Sequence, residues 1–307
     1  MKKLLSLMLT AVLVLAATVA LVGCDEVENG SKITRMTMTL EYTDAEGTAT
    51  TRNVELKLYH NYAPKTVENF INLAKQGFYN GVCISNVQSN WLEFGAYKYV
   101  NGAFTRVDGN VTAIDGEFSK NGWLGNPLLS SSGALIMKRD YSVDTNANQV
   151  YNSAKSTVIL ALGSVSKFNS SEYCIFGKVV NDDEAYTVSA SEENTSATSK
   201  TSLDACKALT SLAETEDGVK TYYYENYGTT DAEGNKREGG VYSEFYCSKY
   251  DEDEGVTKYY KGATVNAENE ITDENLETLK DMLTEESYAF LVLPYNTVTI
   301  KSITVKK

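Results

Sequence analysis

The chain is poor in proline and histidine, with three prolines and one histidine among 307 residues. A chain with so few prolines and 42% apolar residues is not expected to be disordered, because it can bury a substantial core in one large domain or two. The single histidine, His60, lies in the turn-like stretch LYHNYAPK. A catalytic triad built around this histidine is therefore not expected.

Basic charge is also scarce. The formal net charge is −13, and removing residues 1–23, which hold two lysines and no acid, leaves 26 basic and 41 acidic residues, or −15. Binding to nucleic-acid phosphates requires clustered Lys and Arg, and the sequence has no such cluster. We therefore expect no nucleic-acid partner. The densest charge run, DEDE at 251–254, is typical of a solvated turn.

Cysteines are few and none forms a CxxC motif. Beyond Cys24 they are widely spaced, at Cys83, Cys174, Cys206 and Cys247. This spacing does not predict a zinc site, and no metal is expected. An exported protein can form disulfides, but Cys83 and Cys174 lie in apolar strand-like runs, where a buried free thiol is the commoner outcome. No disulfide is predicted.

The long hydrophobic run is confined to the N-terminus. Two lysines precede an uncharged apolar run that ends at Val22, which predicts a secretory signal over residues 1–23. The sequence LVGC, followed by two acidic residues, resembles a bacterial lipobox. That resemblance implies cleavage before Cys24, lipidation of Cys24 and attachment to the bacterial cell membrane outside the cytoplasm, with residues 24–34 as a tether. An uncleaved transmembrane anchor is the alternative, because the run is just long enough to span a bilayer.

Beyond the tether, the pattern is mainly that of β-strands. The stretch MTMTLEYTDAEGTATTRNVELKLY alternates apolar and polar residues on both sides of DAEG and predicts a hairpin. Apolar residues at helical spacing between Pro64 and Gly77 predict one short amphipathic helix. Further strands are predicted for VCISNV, WLEFGAY, GALIMKR, STVILALG and YCIFGKVV.

Residues 182–292 have a different composition. A polar linker is followed by SLDACKALTSLAE, which predicts a helix, and ITDENLETLKDMLTEE predicts a second helix near the end. Nine of the 21 tyrosines lie between residues 222 and 260, in a segment that predicts strands and hairpins. These rings either pack a small core or form an exposed face for a partner, since both uses favour tyrosine.

The stretch VELKLYHNYAPKTVENFINLAKQGFYNGV resembles the cyclophilin-type peptidyl-prolyl cis-trans isomerases, and IDGEFSKNG, GALIM, NSAKS and FGKVV follow in the family's order. The resemblance implies a mainly β fold, a closed eight-stranded antiparallel barrel with capping helices, over residues 35–181 and 293–307. Residues 182–292 are then an inserted tyrosine-rich α+β module. It also implies isomerisation of proline-containing peptide or protein segments, a reaction for which no cofactor is needed.

The family's catalytic arginine lies in the strand after the first helix, where this chain has Asn86. By resemblance, substrate contacts are expected from Trp91, Leu92, Phe94, Met137, Ile159 and Tyr173. Loss of one preorganised donor aimed at developing charge costs about 10²–10³ in rate. We therefore predict an isomerase with reduced or lost turnover, with a non-catalytic module that binds peptide or protein as the alternative.

Overall fold

Strands dominate the computed structural model, which describes residues 26–28, 30–101, 103–139, 150–180, 202–226, 242–272, 274–285 and 290–306. The helices are α1 (Pro64–Lys75), α2 (Ser202–Ala208) and α3 (Glu274–Glu285). The strands are β1 (Glu26–Glu28), β2 (Ser31–Thr43), β3 (Ala49–Tyr59), β4 (Val82–Val87), β5 (Trp91–Val100), β6 (Ala103–Arg106), β7 (Ala134–Met137), β8 (Val158–Ala161), β9 (Cys174–Val179), β10 (Val219–Asn226), β11 (Tyr242–Asp251), β12 (Val256–Lys261), β13 (Phe290–Leu293) and β14 (Thr299–Val305). The predicted mainly β class is confirmed.

Eight antiparallel strands form a ring in the order β2-β14-β4-β5-β8-β7-β9-β3, and β3 pairs with β2 to complete the circuit. The longest ladder is the predicted hairpin, in which β2 and β3 pair from Ile33 opposite Tyr59 to Thr43 opposite Ala49. Alternate residues of these strands, including Met36, Met38 and Leu56, face one shared core. The ring agrees with the architecture that the sequence predicts.

Helix α1 packs against the core of the ring as its sequence predicts. Pro64 occupies the first helical turn, where its missing N–H costs no intrahelical bond. The apolar face of the helix is buried, and the Phe70 ring lies 5.1 Å from that of Tyr79 and 5.3 Å from that of Phe176. Gly77 follows the helix with a φ of 71°, a conformation that glycine adopts without strain.

Helix α2 and the 3₁₀ turn that follows it also belong to this core. Four of their side chains are buried among those of the ring, namely Leu203, Cys206, Leu209 and Leu212. The Ser202 hydroxyl oxygen accepts a hydrogen bond of 3.0 Å from the backbone N–H of Glu55 in β3. The sequence analysis places this helix in the module at 182–292, whereas its contacts are those of a helix that packs on the ring.

A second sheet has the strand order β12-β11-β10-β13 and is covered on both faces. One face packs Tyr223, Leu291 and Leu293 against β4 and β5 of the ring and against β6, which pairs with β5. The other face packs Tyr224 and its neighbours against α3. Four described tyrosines of this region are at most 7% exposed: Tyr223, Tyr224, Tyr246 and Tyr260. Core packing therefore explains these rings better than an exposed binding face does.

The start of the described chain is folded rather than free. Residues 26–28 pair with β2, so the interval predicted as a tether, 24–34, is strand over most of its length. The carboxylate of Glu28 holds β1 in place by accepting hydrogen bonds from Lys57, Lys178 and Tyr59. Cys24 and the predicted signal lie outside the described residues. None of the helices in the described ranges is long and apolar enough to cross a membrane.

Candidate active site

Asn86, which the sequence analysis places at the position of the family's arginine, is buried at the contact between the ring and the second sheet. The residue is 1% exposed and lies opposite Glu93 in the β4–β5 ladder. Its Oδ1 accepts one hydrogen bond of 2.9 Å from the backbone N–H of Val292 in β13 and another of 3.0 Å from Nε2 of Gln88. The amide therefore docks a strand of the second sheet instead of facing solvent.

Three of the predicted substrate contacts lie together in a cluster on the outer side of the ring, which we call the outer cluster. Trp91, Ile159 and Tyr173 pack there with Phe168, a residue that the sequence analysis did not single out. The Phe168 ring meets those of Trp91 and Tyr173 edge-on, each at 5.2 Å. All four side chains are at most 7% exposed. A prolyl ring would have to displace one of them to enter.

The other three predicted contacts lie elsewhere. Leu92, Phe94 and Met137 belong to the core inside the ring. The reason is the two-residue period of a strand, which turns Leu92 and Phe94 to the face opposite that of Trp91. A peptide on the outer side of the ring does not reach these three side chains, so the sequence-based grouping mixes two faces.

An ion pair stands beside Asn86 that sequence reasoning missed. Both carboxylate oxygens of Glu93 accept hydrogen bonds of 2.8 Å from Nζ of Lys138, and Glu93 is 2% exposed. Burial, and then the positive charge of Lys138, lowers the pKa of the nearby Lys167 to about 8, although Glu93 acts in the opposite direction. The sequence did contain one sign of this ion pair. Glu93 is a charged residue inside the apolar run WLEFGAY, on the same strand face as Trp91, and a charge in such a position is seldom buried without a partner.

A guanidinium does lie near the outer cluster, but it is turned inward. The Arg139 guanidinium carbon is 4.7 Å from the ring centre of Tyr173 and 5.0 Å from that of Tyr151. Its Nε donates a hydrogen bond of 3.0 Å to the backbone oxygen of Glu172. Because the side chain is 1% exposed, its donors are not presented to a peptide outside the protein.

The thiols of the fold take no part in this site. Cys83, Cys174, Cys206 and Cys247 are all buried and free, which confirms the expectation for Cys83 and Cys174. Burial raises the pKa of the Cys83 thiol to about 12, so it stays protonated at neutral pH. Within the ranges that the structure describes, no three His, Cys, Asp or Glu side chains converge as metal ligands would.

Comparison with known proteins identifies the family. The model described as cyclophilin type peptidyl-prolyl cis-trans isomerase/CLD matches residues 44–207, which is more than half of the chain. The matched range includes α1, the strands around Asn86 and helix α2 as far as Lys207. The chain belongs to the cyclophilin-type peptidyl-prolyl cis-trans isomerase family.

Similarity to individual relatives is more limited. Peptidyl-prolyl cis-trans isomerases from two Helicobacter pylori strains, J99 and 26695, are each 40% identical over 50 residues, which cover 16% of this chain and 31% of each relative. A Cryptosporidium parvum cyclophilin type isomerase, solved in the presence of the dipeptide Ala-Pro, is 19% identical with a TM-score of 0.31. The match covers 48% of this chain and 80% of the Cryptosporidium chain. The Mimivirus cyclophilin is 17% identical with a TM-score of 0.38, and the match covers 61% of this chain and 83% of the Mimivirus chain.

Proposed function

We propose that this protein is a lipid-anchored, extracytoplasmic cyclophilin-family protein whose turnover of prolyl bonds is strongly reduced or lost. The observation that carries this proposal is the buried Asn86 side chain, whose oxygen holds the backbone N–H of Val292. The position that the family gives to an arginine is used here to join two parts of the same protein.

The chemistry of the reaction explains why this exchange matters. Rotation about a prolyl amide faces a barrier of roughly 18–20 kcal/mol, and the twisted amide is stabilised by donors aimed at it. An arginine suits this role because its guanidinium presents a rigid fork of donors. Asn86 is neutral and shorter, and its Oδ1 already has two partners. A rate loss of about 10²–10³ is expected from one missing donor alone.

A turnover assay tests the proposal. The soluble fragment from residue 25 onward is compared with a Helicobacter pylori relative in a protease-coupled assay on Xaa-Pro peptides. The expected kcat/KM of the fragment is lower by about 10²-fold or more. Turnover within tenfold of the relative would reject the proposal.

The Asn86→Arg variant is a companion test of the local geometry. If a missing guanidinium were the only defect, this substitution would restore turnover. We expect a gain of less than about tenfold, because the new side chain would enter a buried contact with β13 rather than an open groove. Circular dichroism and urea unfolding of the variant check that a low rate does not reflect a failure to fold.

Binding without turnover is the second candidate function. It is favoured by the same contact, because Asn86 here already holds an extended segment through a backbone N–H. A proline-containing segment of another protein would bind in the same way if it replaced β13. Titration of the fragment with Xaa-Pro peptides, followed by the fluorescence of Trp91 and Trp123, distinguishes binding from the absence of any interaction.

The anchor is tested separately in cells. The support for it is the sequence LVGC at residues 21–24, after an apolar run and before two acids. A Cys24→Ala variant is expected to incorporate no labelled fatty acid and to leave the membrane fraction. Unchanged labelling and fractionation would contradict lipidation at Cys24.

A further inference from the structure

One member of the outer cluster is carried by a turn rather than by a strand. Trp91 begins β5, Ile159 lies in β8 and Tyr173 directly precedes β9. Phe168 is different, because it ends the 3₁₀ turn Ser166–Phe168 in the connection between β8 and β9. The paired strands β5 and β8 hold Trp91 and Ile159 on one sheet, whereas a short loop brings the Phe168 ring to them.

The Phe168 ring fills the middle of the cluster. Its centre lies 5.2 Å from the ring centre of Trp91 and 5.2 Å from that of Tyr173, and both contacts are edge-on. The Phe168 side chain is 0% exposed. Because protein interiors are closely packed, a second ring does not fit here while the Phe168 ring is in place.

The space that this ring fills lies close to solvent. Ser166, two residues before Phe168, is exposed, and Lys167 is half-buried. Nζ of Lys167 lies 6.0 Å from the centre of the Phe168 ring. A lysine side chain has a long flexible stem and moves aside at little cost. Removal of the phenyl ring would therefore open this space to a small ligand from outside.

The cluster also lies next to Asn86. Glu93 is the register partner of Asn86, and Trp91 comes two residues before Glu93, so the side chains of Trp91 and Glu93 lie on the same strand face. Such neighbours on one face of a strand are about 7 Å apart. A peptide bonded through its backbone to Asn86 would thus have its next residues within reach of Trp91.

We propose that Phe168 closes the outer cluster to proline, because its ring occupies the space that a prolyl ring would take between Trp91 and Tyr173. The inference rests on the proposed function, since it treats the outer cluster as part of the surface that contacts a proline-containing segment. Truncation of Phe168 leaves more room than the smaller prolyl ring needs. An apolar cavity left by such a truncation can bind a ligand of matching shape. Phe168 is thus the residue that decides whether the cluster admits proline.

Binding of a small proline probe to the Phe168→Ala variant tests this inference. The fragment from residue 25 onward, which contains every described residue, is titrated with acetyl-Ala-Pro-amide and with acetyl-Ala-Ala-amide, which lacks the ring. The variant is expected to bind the proline probe at least about tenfold more tightly than the wild type does, and at least about tenfold more tightly than it binds the alanine probe, because about two more ring carbons leave water. The indole N–H signal of Trp91 in NMR spectra should shift on binding, while that of Trp123, which donates to the backbone oxygen of Tyr62, should not.

Two further variants serve as controls. Phe176→Ala removes an equally buried phenyl ring inside the core of the ring of strands, so it should lose stability without gaining affinity for the proline probe. Phe168→Val removes less of the cluster and keeps the test possible if Phe168→Ala does not fold. It should bind the proline probe at least about threefold more tightly than the wild type does. Urea unfolding checks that each variant is folded.

Folded Phe168 variants that bind the proline probe no more tightly than the wild type, or that bind both probes equally, would overturn the proposal. A wild type in which the proline probe shifts the Trp91 signal as strongly as in Phe168→Ala would overturn it as well. The proposed loss of turnover is measured on the wild type alone, whereas this inference depends on the difference between a variant and the wild type. The two can therefore fail separately.

Discussion

At the scale of single residues, Asn86 and Glu93 are register partners in the ladder of β4 and β5. Both are buried, and each has a partner within the protein: Val292 for Asn86 and Lys138 for Glu93. The polar side chains of Asn86 and Glu93 thus serve contacts within the protein. Such contacts stabilise a fold, whereas catalysis needs donors that are directed at a substrate.

The pair of Glu93 and Lys138 allows a stability prediction. Replacing one partner of a buried ion pair leaves an uncompensated charge, which costs about 3–5 kcal/mol. We expect Lys138→Met to lower the free energy of unfolding by about 3 kcal/mol, the lower end of that range, because the Lys138 side chain is 19% exposed. The Glu93→Gln/Lys138→Met double variant should recover most of the loss, as measured by urea unfolding. A double variant no more stable than the single one would contradict this.

At the scale of elements, strand β1 pairs with β2 and is also held by the carboxylate of Glu28, and this second contact should depend on pH. Burial alone would raise the pKa of Glu28, but hydrogen bonds from Lys57, Lys178 and Tyr59 outweigh burial and leave the pKa below its ordinary value. A carboxyl group with a lowered pKa in the folded state adds stability above its ordinary pKa and loses it as the pH falls through the folded value.

We therefore expect the difference in unfolding free energy between the wild type and Glu28→Gln to be about 1–3 kcal/mol at pH 7. The difference should shrink on acidification below pH 4.5, the ordinary pKa of the glutamate side chain. Urea titrations at several pH values measure it. The matched variant Glu41→Gln, whose partner Lys301 is 60% exposed, should cost less than about 1 kcal/mol. A Glu28→Gln effect that does not change with pH would contradict this account.

Helix α2 gives a second prediction at this scale. Leu209, in the 3₁₀ turn after the helix, is 0% exposed in the core of the ring. Leu209→Ala should therefore lower the free energy of unfolding by about 2–5 kcal/mol, whereas the exposed Lys207→Ala should change it by less than about 0.5 kcal/mol. A loss below about 1 kcal/mol for Leu209→Ala would show that the segment is not part of this core.

The elements that could be predicted are those with a local signal. The hairpin of β2 and β3, helix α1 and strands β4, β5, β7, β8 and β9 follow from patterns within a few residues. That α2 packs in the core of the ring could not be predicted from the sequence, because its contact with Glu55 joins residues 147 positions apart. The role of Asn86 was hidden for the same reason, since Val292 is 206 positions away. The bounds of the domains remain predictions.

At the scale of the whole molecule, the ring and the second sheet share an interface with an apolar and a polar part. The rings of Tyr97 in β5 and Phe104 in β6 stack with their centres 4.5 Å apart and pack with Tyr223 of the second sheet. The Tyr97 hydroxyl donates to Glu225, which also pairs with Arg106 at 3.1 Å. Asn86 adds a third point of attachment next to these. The second sheet is therefore bound firmly over β4, the strand that carries Asn86.

Hydrogen exchange at the Val292 amide tests this central claim most directly, because Asn86 accepts the bond from that N–H. We predict that the amide exchanges slowly in the wild type and at least about tenfold faster in Asn86→Leu, a change worth about 1.4 kcal/mol, while amides inside the ring keep their rates. Ser89→Ala, an exposed change nearby, serves as the matched control. Rapid exchange at Val292 in the wild type, equal to that of an unprotected amide, would contradict the account.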